Sequence, residues 1–140
     1  MTKIDKETLK VFDKLEKLNP EAKFLSESAL STVNDWVDTG CMVLNSIISG
    51  SLYGGVPIGR ITGFAGPSAA GKTYIINKIL ANGQKRGMTP VIFDTEAAID
   101  ASSTTGVGLD PDTVKYVPVQ TVEECRNQIS ALLDGIVETG

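Results

Sequence analysis

The chain has 140 residues, 41% of them hydrophobic and 21% charged, a composition typical of one globular domain rather than of a disordered or fibrous chain. Its 13 basic and 17 acidic residues give a net charge of −4, and the acidic excess lies in residues 96–140, which argues against binding of nucleic acid or membranes by bulk charge. The sequence contains no histidine, which excludes histidine-based acid–base catalysis and histidine-ligated zinc.

The first segment, Met1 to Leu18, has apolar residues at helical spacing and predicts an amphipathic helix. Asn19-Pro20 ends it, because proline disfavours helical geometry in the preceding residue. Such a helix either packs on its own domain or docks on a neighbouring subunit, and the residues alone favour neither. Residues 1–39 are predicted to form this helix and a linker, in which Trp36 and Val37 indicate a short strand or a core anchor.

The central segment alternates short apolar runs with glycine-rich turns. Met42 to Ile48 predicts a short helix, and a glycine-rich connector leads to Arg60 to Ala65, which has the pattern of a buried strand. A helix of about four turns should follow and end near Gly87, and Val91 to Asp94 predicts a second buried strand. Strand, glycine loop, helix and strand form the first half of a parallel α/β sheet.

The last segment predicts one more helix. Thr121 has the character of an N-cap, and Glu123 and Glu124 favour the first turn of a helix. Its apolar face is formed by Ile129, Leu132, Leu133, Ile136 and Val137. We expect a third strand after this helix, beyond Gly140.

Residues Gly66 to Thr73 match the phosphate-loop pattern GxxxxGK[ST]. Glycines allow successive amide N–H groups to turn toward a phosphate, and a following helix directs its positive end there. Lys72 would then contact the β and γ phosphates, and the Thr73 hydroxyl would coordinate Mg²⁺. A chain of this length matches the pattern by chance about once in several hundred cases. The predicted nucleotide-binding residues are Gly66, Pro67, Ser68, Ala69, Ala70, Gly71, Lys72, Thr73 and Tyr74.

A second candidate site is Asp94-Thr95-Glu96, which follows the second predicted strand. The carboxyl ends of parallel strands are where nucleotides bind in open α/β folds. Glu96 would orient and deprotonate a water molecule there, with Lys72 as the other catalytic residue. A solvated acidic loop is the alternative interpretation, and position alone leaves both open.

Together these residues resemble the RecA-like homologous recombinases, and most closely their bacteriophage UvsX-type branch. The resemblance covers about residues 40 to 138 and depends on an ordered series of short motifs. They are Leu44-Asn45, Ser49-Gly50, Gly54-Gly55, Ala65-Gly66-Pro67-Ser68, Gly71-Lys72-Thr73, Asp94-Thr95-Glu96, Gly108-Leu109-Asp110-Pro111 and Val117-Pro118-Val119-Gln120.

The resemblance implies a RecA-like P-loop ATPase core, with residues 40–140 as its N-terminal part. It implies an ATPase that uses Mg²⁺, forms helical filaments on single-stranded DNA and exchanges strands in homologous recombination and repair. In that family Glu96 holds the position of the catalytic glutamate, and the N-terminal helix docks on the next subunit. Recombination mediators and single-strand-binding proteins are further implied partners.

The sequence departs from the family pattern at several positions. Ile99 to Gly108 contains no aromatic residue to stack on adenine, and Asn45 replaces an aspartate of cellular relatives, which is more phage-like. The Walker B strand and the DNA-binding loops are expected beyond Gly140. The resemblance is therefore to the N-terminal part of a recombinase, and we expect these 140 residues to bind ATP weakly, if at all, and not to exchange strands.

Three other functions fit parts of the pattern. Another RecA-fold motor, such as a helicase, would share the phosphate loop and Glu96. A small nucleotide kinase is disfavoured, since it needs several arginines and the chain has three, Arg60, Arg86 and Arg126. A non-catalytic remnant that caps filaments is the third.

The sequence also indicates a compartment. The isolated cysteines Cys41 and Cys125 predict buried thiols in a reducing environment. No apolar run approaches the ~20 residues of a membrane span, and the lysine-rich start lacks the apolar core of a signal peptide. We expect a cytoplasmic protein, in the host cytoplasm if viral.

Overall fold

The computed structural model describes residues 4–28, 32–97, 99 and 101–139. The chain divides into two compact units at residues 34 and 35. In these described ranges, the first unit contains one helix, and the second contains the other helices and all the strands. Among the described residues, no helix is both long and apolar enough to cross a lipid bilayer.

The first unit is built on helix α1 (Lys6–Leu18), which confirms the predicted N-terminal helix. The helix begins after Asp5, whose carboxylate accepts hydrogen bonds from the Glu7 and Thr8 amides at 2.9 and 2.8 Å. Met1 to Lys3 lie outside the described residues. Phe12 packs edge-on against Phe24, with ring centroids 5.8 Å apart, and both rings line an apolar groove of about 300 Å³.

The second unit begins with a small antiparallel pair of strands, β1 (Trp36–Val37) and β2 (Val56–Pro57). Helix α2 (Met42–Ser49) lies between them in the sequence. The predicted short strand at Trp36 and the predicted helix at Met42 are both confirmed. Cys41, however, is exposed, because it precedes α2 as its cap, and the prediction of two buried thiols is wrong.

Asn45 joins the segments on either side of α2. Its side chain is 2% exposed and accepts hydrogen bonds from the Thr39 amide and hydroxyl at 3.0 and 2.7 Å. Its amide group donates to the Asp38 carboxylate at 2.7 Å and to the Leu52 carbonyl at 3.1 Å. All four contacts use the amide in one orientation, so the side chain at this position needs both a donor and an acceptor.

We therefore expect Asn45→Asp to lower the free energy of unfolding by roughly 2 kcal/mol, because it removes two donated hydrogen bonds and places a second carboxylate beside Asp38. In the parental chain the Asn45 amide is the main cause that holds the pKa of Asp38 below its ordinary value. Urea unfolding at neutral pH measures the loss. Adding Asp38→Asn to the Asn45→Asp chain restores a donor–acceptor pair and should recover most of the lost free energy of unfolding. If the double variant recovers none of it, the proposed role of the Asn45 hydrogen bonds is wrong.

Helix α3 (Lys72–Gln84) is the central element of the second unit and confirms the predicted helix after the phosphate loop. It ends at Gln84 with Lys85 as its C-cap, and the left-handed backbone of Gly87 (φ +82°) then turns the chain away. The Arg86 guanidinium pairs with the Asp35 carboxylate and also donates to the Trp36 carbonyl. These contacts hold the C-terminal end of α3 against β1.

The second sheet is a parallel pair, β3 (Val91–Asp94) and β4 (Lys115–Pro118), in which Val91 lies opposite Lys115. Helix α4 (Ala101–Gly106) and a short 3₁₀ turn (Pro111–Thr113) connect the two strands. Strand β3 was predicted, but β4 was not. A small buried cluster, formed by Ala81, Val107 and Leu109, packs α3 against the connection between these strands.

The predicted buried strand Arg60 to Ala65 is wrong. Residues 61–66 lie outside every described strand, none of their backbone groups bonds to another described backbone group, and Ile61 is fully exposed. An apolar run becomes a strand only where a neighbouring strand supplies a ladder. Within the described residues β3 pairs with β4 alone. The second unit is thus a mixed helical domain with two small sheets, and the predicted continuous parallel sheet is absent from this part of the chain.

Helix α5 (Val122–Thr139) confirms the predicted C-terminal helix and its cap. The Thr121 hydroxyl accepts from the Glu124 amide at 3.1 Å, and the Glu124 carboxylate accepts from the Gln120 amide at 2.9 Å. No described residue of α5 is buried. Its predicted apolar face is consequently exposed, with Leu133 at 56% and Val137 at 81%.

Candidate functional site

The predicted phosphate loop occupies residues 66–71 and leads directly into α3. Ala69 (φ +59°) and Gly71 (φ +84°) adopt the left-handed backbone conformation, which is unusual for alanine and easy for glycine. A loop with such residues turns its amide N–H groups toward one side and forms a concave surface that suits anions. The sharp turn that the glycine pattern predicts is therefore present, although the strand expected before it is absent.

The start of α3 offers donors without protein acceptors. The amides of Lys72, Thr73 and Tyr74 precede the first intrahelical bond, from Ile75 to the Gly71 carbonyl, and have no acceptor among the described residues. Gly71 has no side chain to cap them, and the first turn contains no acidic residue. The positive end of the helix dipole is therefore left for an anion from outside the described chain.

Lys72 folds back onto the loop. Its ammonium donates to the Gly66 carbonyl at 2.9 Å and to the Pro67 carbonyl at 2.7 Å. This position places the charge at the mouth of the loop, within the same short segment as the free amides. The Thr73 side chain is exposed next to it.

The donor set fits a polyphosphate with Mg²⁺. An ammonium and several free amides are the groups that bind phosphate oxygens, and a hydroxyl is a suitable oxygen ligand for magnesium. No group of three or more acidic, histidine or cysteine residues in the described ranges forms a metal site of its own. Magnesium would thus be held through the Thr73 hydroxyl together with phosphate oxygens and water, the arrangement that Mg²⁺ favours.

Asp94 ends β3 and organises the segment that contains Glu96. Its carboxylate accepts from the amides of Glu96, Ala97 and Ile99 at 2.9, 3.1 and 3.4 Å, and from the Tyr116 hydroxyl at 3.2 Å. These bonds, the Glu96 amide first, lower the pKa of Asp94 despite its burial. The loop is therefore stabilised above the ordinary carboxyl pKa, and that stabilisation is lost as the pH falls through the lowered value.

Glu96 itself is exposed, and its carboxylate has no partner among the described residues. Within the described residues no hydrogen bond or ion pair joins the Glu96 side chain to loop 66–74. The structure therefore brings Lys72 together with Gly66 and Pro67, and Glu96 together with Asp94, as two separate groups. Sequence reasoning missed Tyr116, because its contact with Asp94 depends on the unpredicted pairing of β3 with β4.

The segment after Glu96 lacks an aromatic side chain, as the sequence indicated. Ile99 and residues 101–108 are described, whereas Asp100 lies outside the described residues. A cavity of about 240 Å³ is lined by residues of α4, of β3 and β4, and of the connection between these strands. Its lining is mostly apolar and includes Ile92, Thr104 and Tyr116.

Comparisons with known proteins add a family context. Residues 10–136 match the family described as RecA N-terminal domain. The chain is 30% identical over 135 residues to Protein RecA of Clostridium acetobutylicum, an alignment that covers 93% of this chain and 38% of that protein. It is 39% identical over 99 residues to Protein RecA of Clostridium beijerinckii, covering 71% of this chain and 27% of the relative.

A plant relative is also similar. The chain is 32% identical over 87 residues to DNA repair protein recA homolog 3, mitochondrial, of Arabidopsis thaliana, covering 62% of this chain and 19% of that protein. The chain thus spans 19–38% of the length of these curated relatives.

Proposed function

Because this chain belongs to the RecA family, we propose that it is the nucleotide-binding part of an ATP-dependent DNA recombinase. The observation that carries the proposal is the phosphate loop at the start of α3. Free first-turn amides, a left-handed Gly71 and the Lys72 ammonium lie together there. This combination recognises a chain of phosphates, and the family match makes ATP the expected nucleotide.

Each site residue has a proposed role. Gly66 to Tyr74 would surround the phosphates, with Lys72 as the cationic donor and the Thr73 hydroxyl as a magnesium ligand. Mg²⁺, when bound, would neutralise phosphate charge. Glu96 would orient a water molecule and accept its proton at a carboxylate oxygen. The exposed position of Glu96 supports this role, since its oxygens are not occupied by described protein donors.

We propose that the whole protein assembles with itself into filaments on single-stranded DNA and exchanges strands. The exposed apolar face of α1, with Leu15 at 51% and Leu18 at 83%, supports docking of this helix on a neighbouring subunit. The acidic excess of residues 96–140 disfavours DNA contact there. DNA would then be bound by other parts of the protein, beyond residue 140, with mediator and single-strand-binding proteins as further partners.

Two finer assignments are also proposed. Asn45 and the residues Ser49 to Tyr53, which lengthen the connector relative to cellular relatives, favour the bacteriophage UvsX-type branch. The hydrogen bond from the Asn45 amide to Asp38 explains in this structure why an asparagine suits that position. A RecA-like core would be completed by strands beside β3, which would also cover the exposed face of α5. We place the protein in the cytoplasm, that of the host if it is viral.

The magnesium role gives a direct test. We expect ATP to bind the chain more tightly with Mg²⁺ than without it, and Thr73→Ala to lose most of that difference while it keeps the weak magnesium-independent binding. Amide NMR titration with ATP measures affinities in the millimolar range. Thr89→Ala, an exposed threonine outside the loop, is the matched control. ATP titrations that move no amide of loop 66–74 in the folded chain would refute the proposal.

The recombinase assignment is tested separately. With the protein purified from the cells that naturally produce it, we expect single-stranded DNA to stimulate ATP hydrolysis and electron microscopy to show filaments. Hydrolysis without DNA stimulation would favour another RecA-fold motor. Shortening of intact recombinase filaments by an inactive chain would favour the capping remnant.

A further inference from the structure

The Asp94 carboxylate is the only described side chain that holds the loop of Glu96. The Asp94 residue is 9% exposed, and each of its two oxygens has two donors. One oxygen accepts from the Glu96 and Ala97 amides, and the other accepts from the Ile99 amide and the Tyr116 hydroxyl. A carboxylate has about four acceptor positions. The carboxylate of Asp94 is therefore saturated.

Tyr116 reaches Asp94 through the register of the parallel pair. Ile92 lies opposite Tyr116, and Asp94 lies opposite Pro118. Residues two apart on a strand share one face, so Asp94 and Tyr116 are diagonal neighbours on the same face of the pair. The hydroxyl then meets the carboxylate at 3.2 Å. Desolvation, together with the bond to Asp94, raises the pKa of Tyr116, so the hydroxyl stays protonated and remains a donor.

The loop needs such support because its backbone is unusual. Ala97 has a left-handed φ of +52°, a conformation that is strained for a residue other than glycine. The Glu96 carboxylate contributes no described contact of its own. The hydrogen bonds from the loop amides to Asp94 therefore set the backbone conformation at Glu96, and with it the direction of the Glu96 side chain.

Asp94 is unsuited to be the base itself. Its oxygens are occupied and buried, and its pKa is lowered, whereas Glu96 is exposed. The two acids thus differ in environment, and only one of them is available to a water molecule.

We infer that Asp94 and Tyr116 form a positioning pair for Glu96: the tyrosine hydroxyl fixes the carboxylate of Asp94, and that carboxylate fixes the loop that presents Glu96. This inference rests on the proposed role of Glu96 as the group that activates water. It gives a positioning role to Asp94 and Tyr116, two residues that neither the phosphate-loop motif nor the motif Asp94-Thr95-Glu96 connects with each other.

The test is Tyr116→Phe, which removes one hydroxyl and keeps the ring. We expect kcat for ATP hydrolysis to fall roughly tenfold while KM and ATP affinity stay within about twofold, since a small misplacement of a catalytic group lowers the rate and not the binding. The amide resonances of Glu96 and Ala97 should also shift and exchange faster with solvent. Tyr53→Phe is the matched control, because Tyr53 is 88% exposed and its hydroxyl has no described partner.

Asp94→Asn completes a double-mutant cycle. The asparagine oxygen can still accept from the amides of Glu96 and Ala97, but its NH₂ group can only donate to the Tyr116 oxygen, so a neutral bond replaces the charge-assisted one and the Ile99 amide loses its acceptor. We expect Tyr116→Phe to have a smaller effect on kcat in this background than in the parental protein. Full additivity of the two effects would overturn the pairing.

Failure of the positioning inference and failure of the proposed function give different results. If the parental protein hydrolyses ATP and Tyr116→Phe matches it in kcat, the positioning inference is wrong and the proposed function stands. The inference is also wrong if the Glu96 and Ala97 amides are unchanged in Tyr116→Phe. If the parental protein binds ATP and Glu96→Gln has the parental rate, the proposed role of Glu96 fails, and the positioning role fails with it.

Discussion

Lys72→Ala is expected to abolish detectable ATP binding. The ammonium is the only cationic side chain placed at the mouth of the loop by a described contact, through its bonds to the Gly66 and Pro67 carbonyls. A charge-assisted bond between an ammonium and phosphate contributes about 1.5–3 kcal/mol, and Lys72 would make more than one. The loss therefore corresponds to an affinity lower by at least about a hundredfold. Amide NMR titration with Mg²⁺ and ATP measures it.

The fold should survive this change. Both bonds of Lys72 are at the exposed surface of the loop, and surface substitutions of this kind alter the free energy of unfolding by about 0.5 kcal/mol or less. Lys85→Ala, which removes an exposed lysine from the other end of the same helical region, is the control and should bind ATP as the parental chain does. Equal ATP-induced amide shifts in the Lys72→Ala and parental chains would exclude residues 66–74 as the nucleotide site.

The parts of the fold that the sequence predicted are those with local causes. The amphipathic α1, the helix after the phosphate loop, and α5 with Thr121 as its cap all depend on residues a few positions apart. Capping and helical periodicity act within one or two turns, so they are readable without a tertiary structure.

The wrong and missing strands have non-local causes. Arg60 to Ala65 has an apolar pattern but no described partner strand, whereas Lys115–Pro118 is only four residues long and pairs with β3. A strand is decided by its neighbour as much as by its own residues. The same dependence hid the contact between Tyr116 and Asp94, which requires the register of the pair.

The buried face of α3 was also only partly predictable. The apolar periodicity of this helix is carried by Ile75, Ile76, Ile79 and Leu80. The structure, however, leaves Ile76 39% exposed and buries Asn77, which is 3% exposed. The Asn77 side-chain oxygen has no partner among the described residues. A polar residue at a core position has no signal in an apolar pattern, and its burial follows from the packing of the helix in the unit.

Glu96→Gln is expected to leave ATP binding unchanged and to lower hydrolysis by roughly 10²- to 10⁴-fold, the range that general base catalysis supplies. Glutamine has nearly the same shape as glutamate and can still orient water, but it cannot accept a proton at neutral pH. The Glu96 carboxylate has no described hydrogen bond, and the bond from its backbone amide to Asp94 does not involve the side chain. The change should therefore isolate chemistry from folding and from binding.

Phosphate release at saturating ATP, in the protein as its cell produces it and with single-stranded DNA present, measures the rate. Amide NMR or calorimetry measures the affinity in parallel. Glu138→Gln, on the exposed last turns of α5, removes the same charge far along the sequence and should retain the parental rate. A parental rate in Glu96→Gln would show that Glu96 is a solvated residue of an acidic loop, and water would then have to be activated by another group. A proton acceptor that acts only in the chemical step changes kcat and leaves the affinity for ATP unchanged. If Glu96→Gln lowers both the ATP affinity and the rate of hydrolysis, Glu96 therefore takes part in binding the nucleotide.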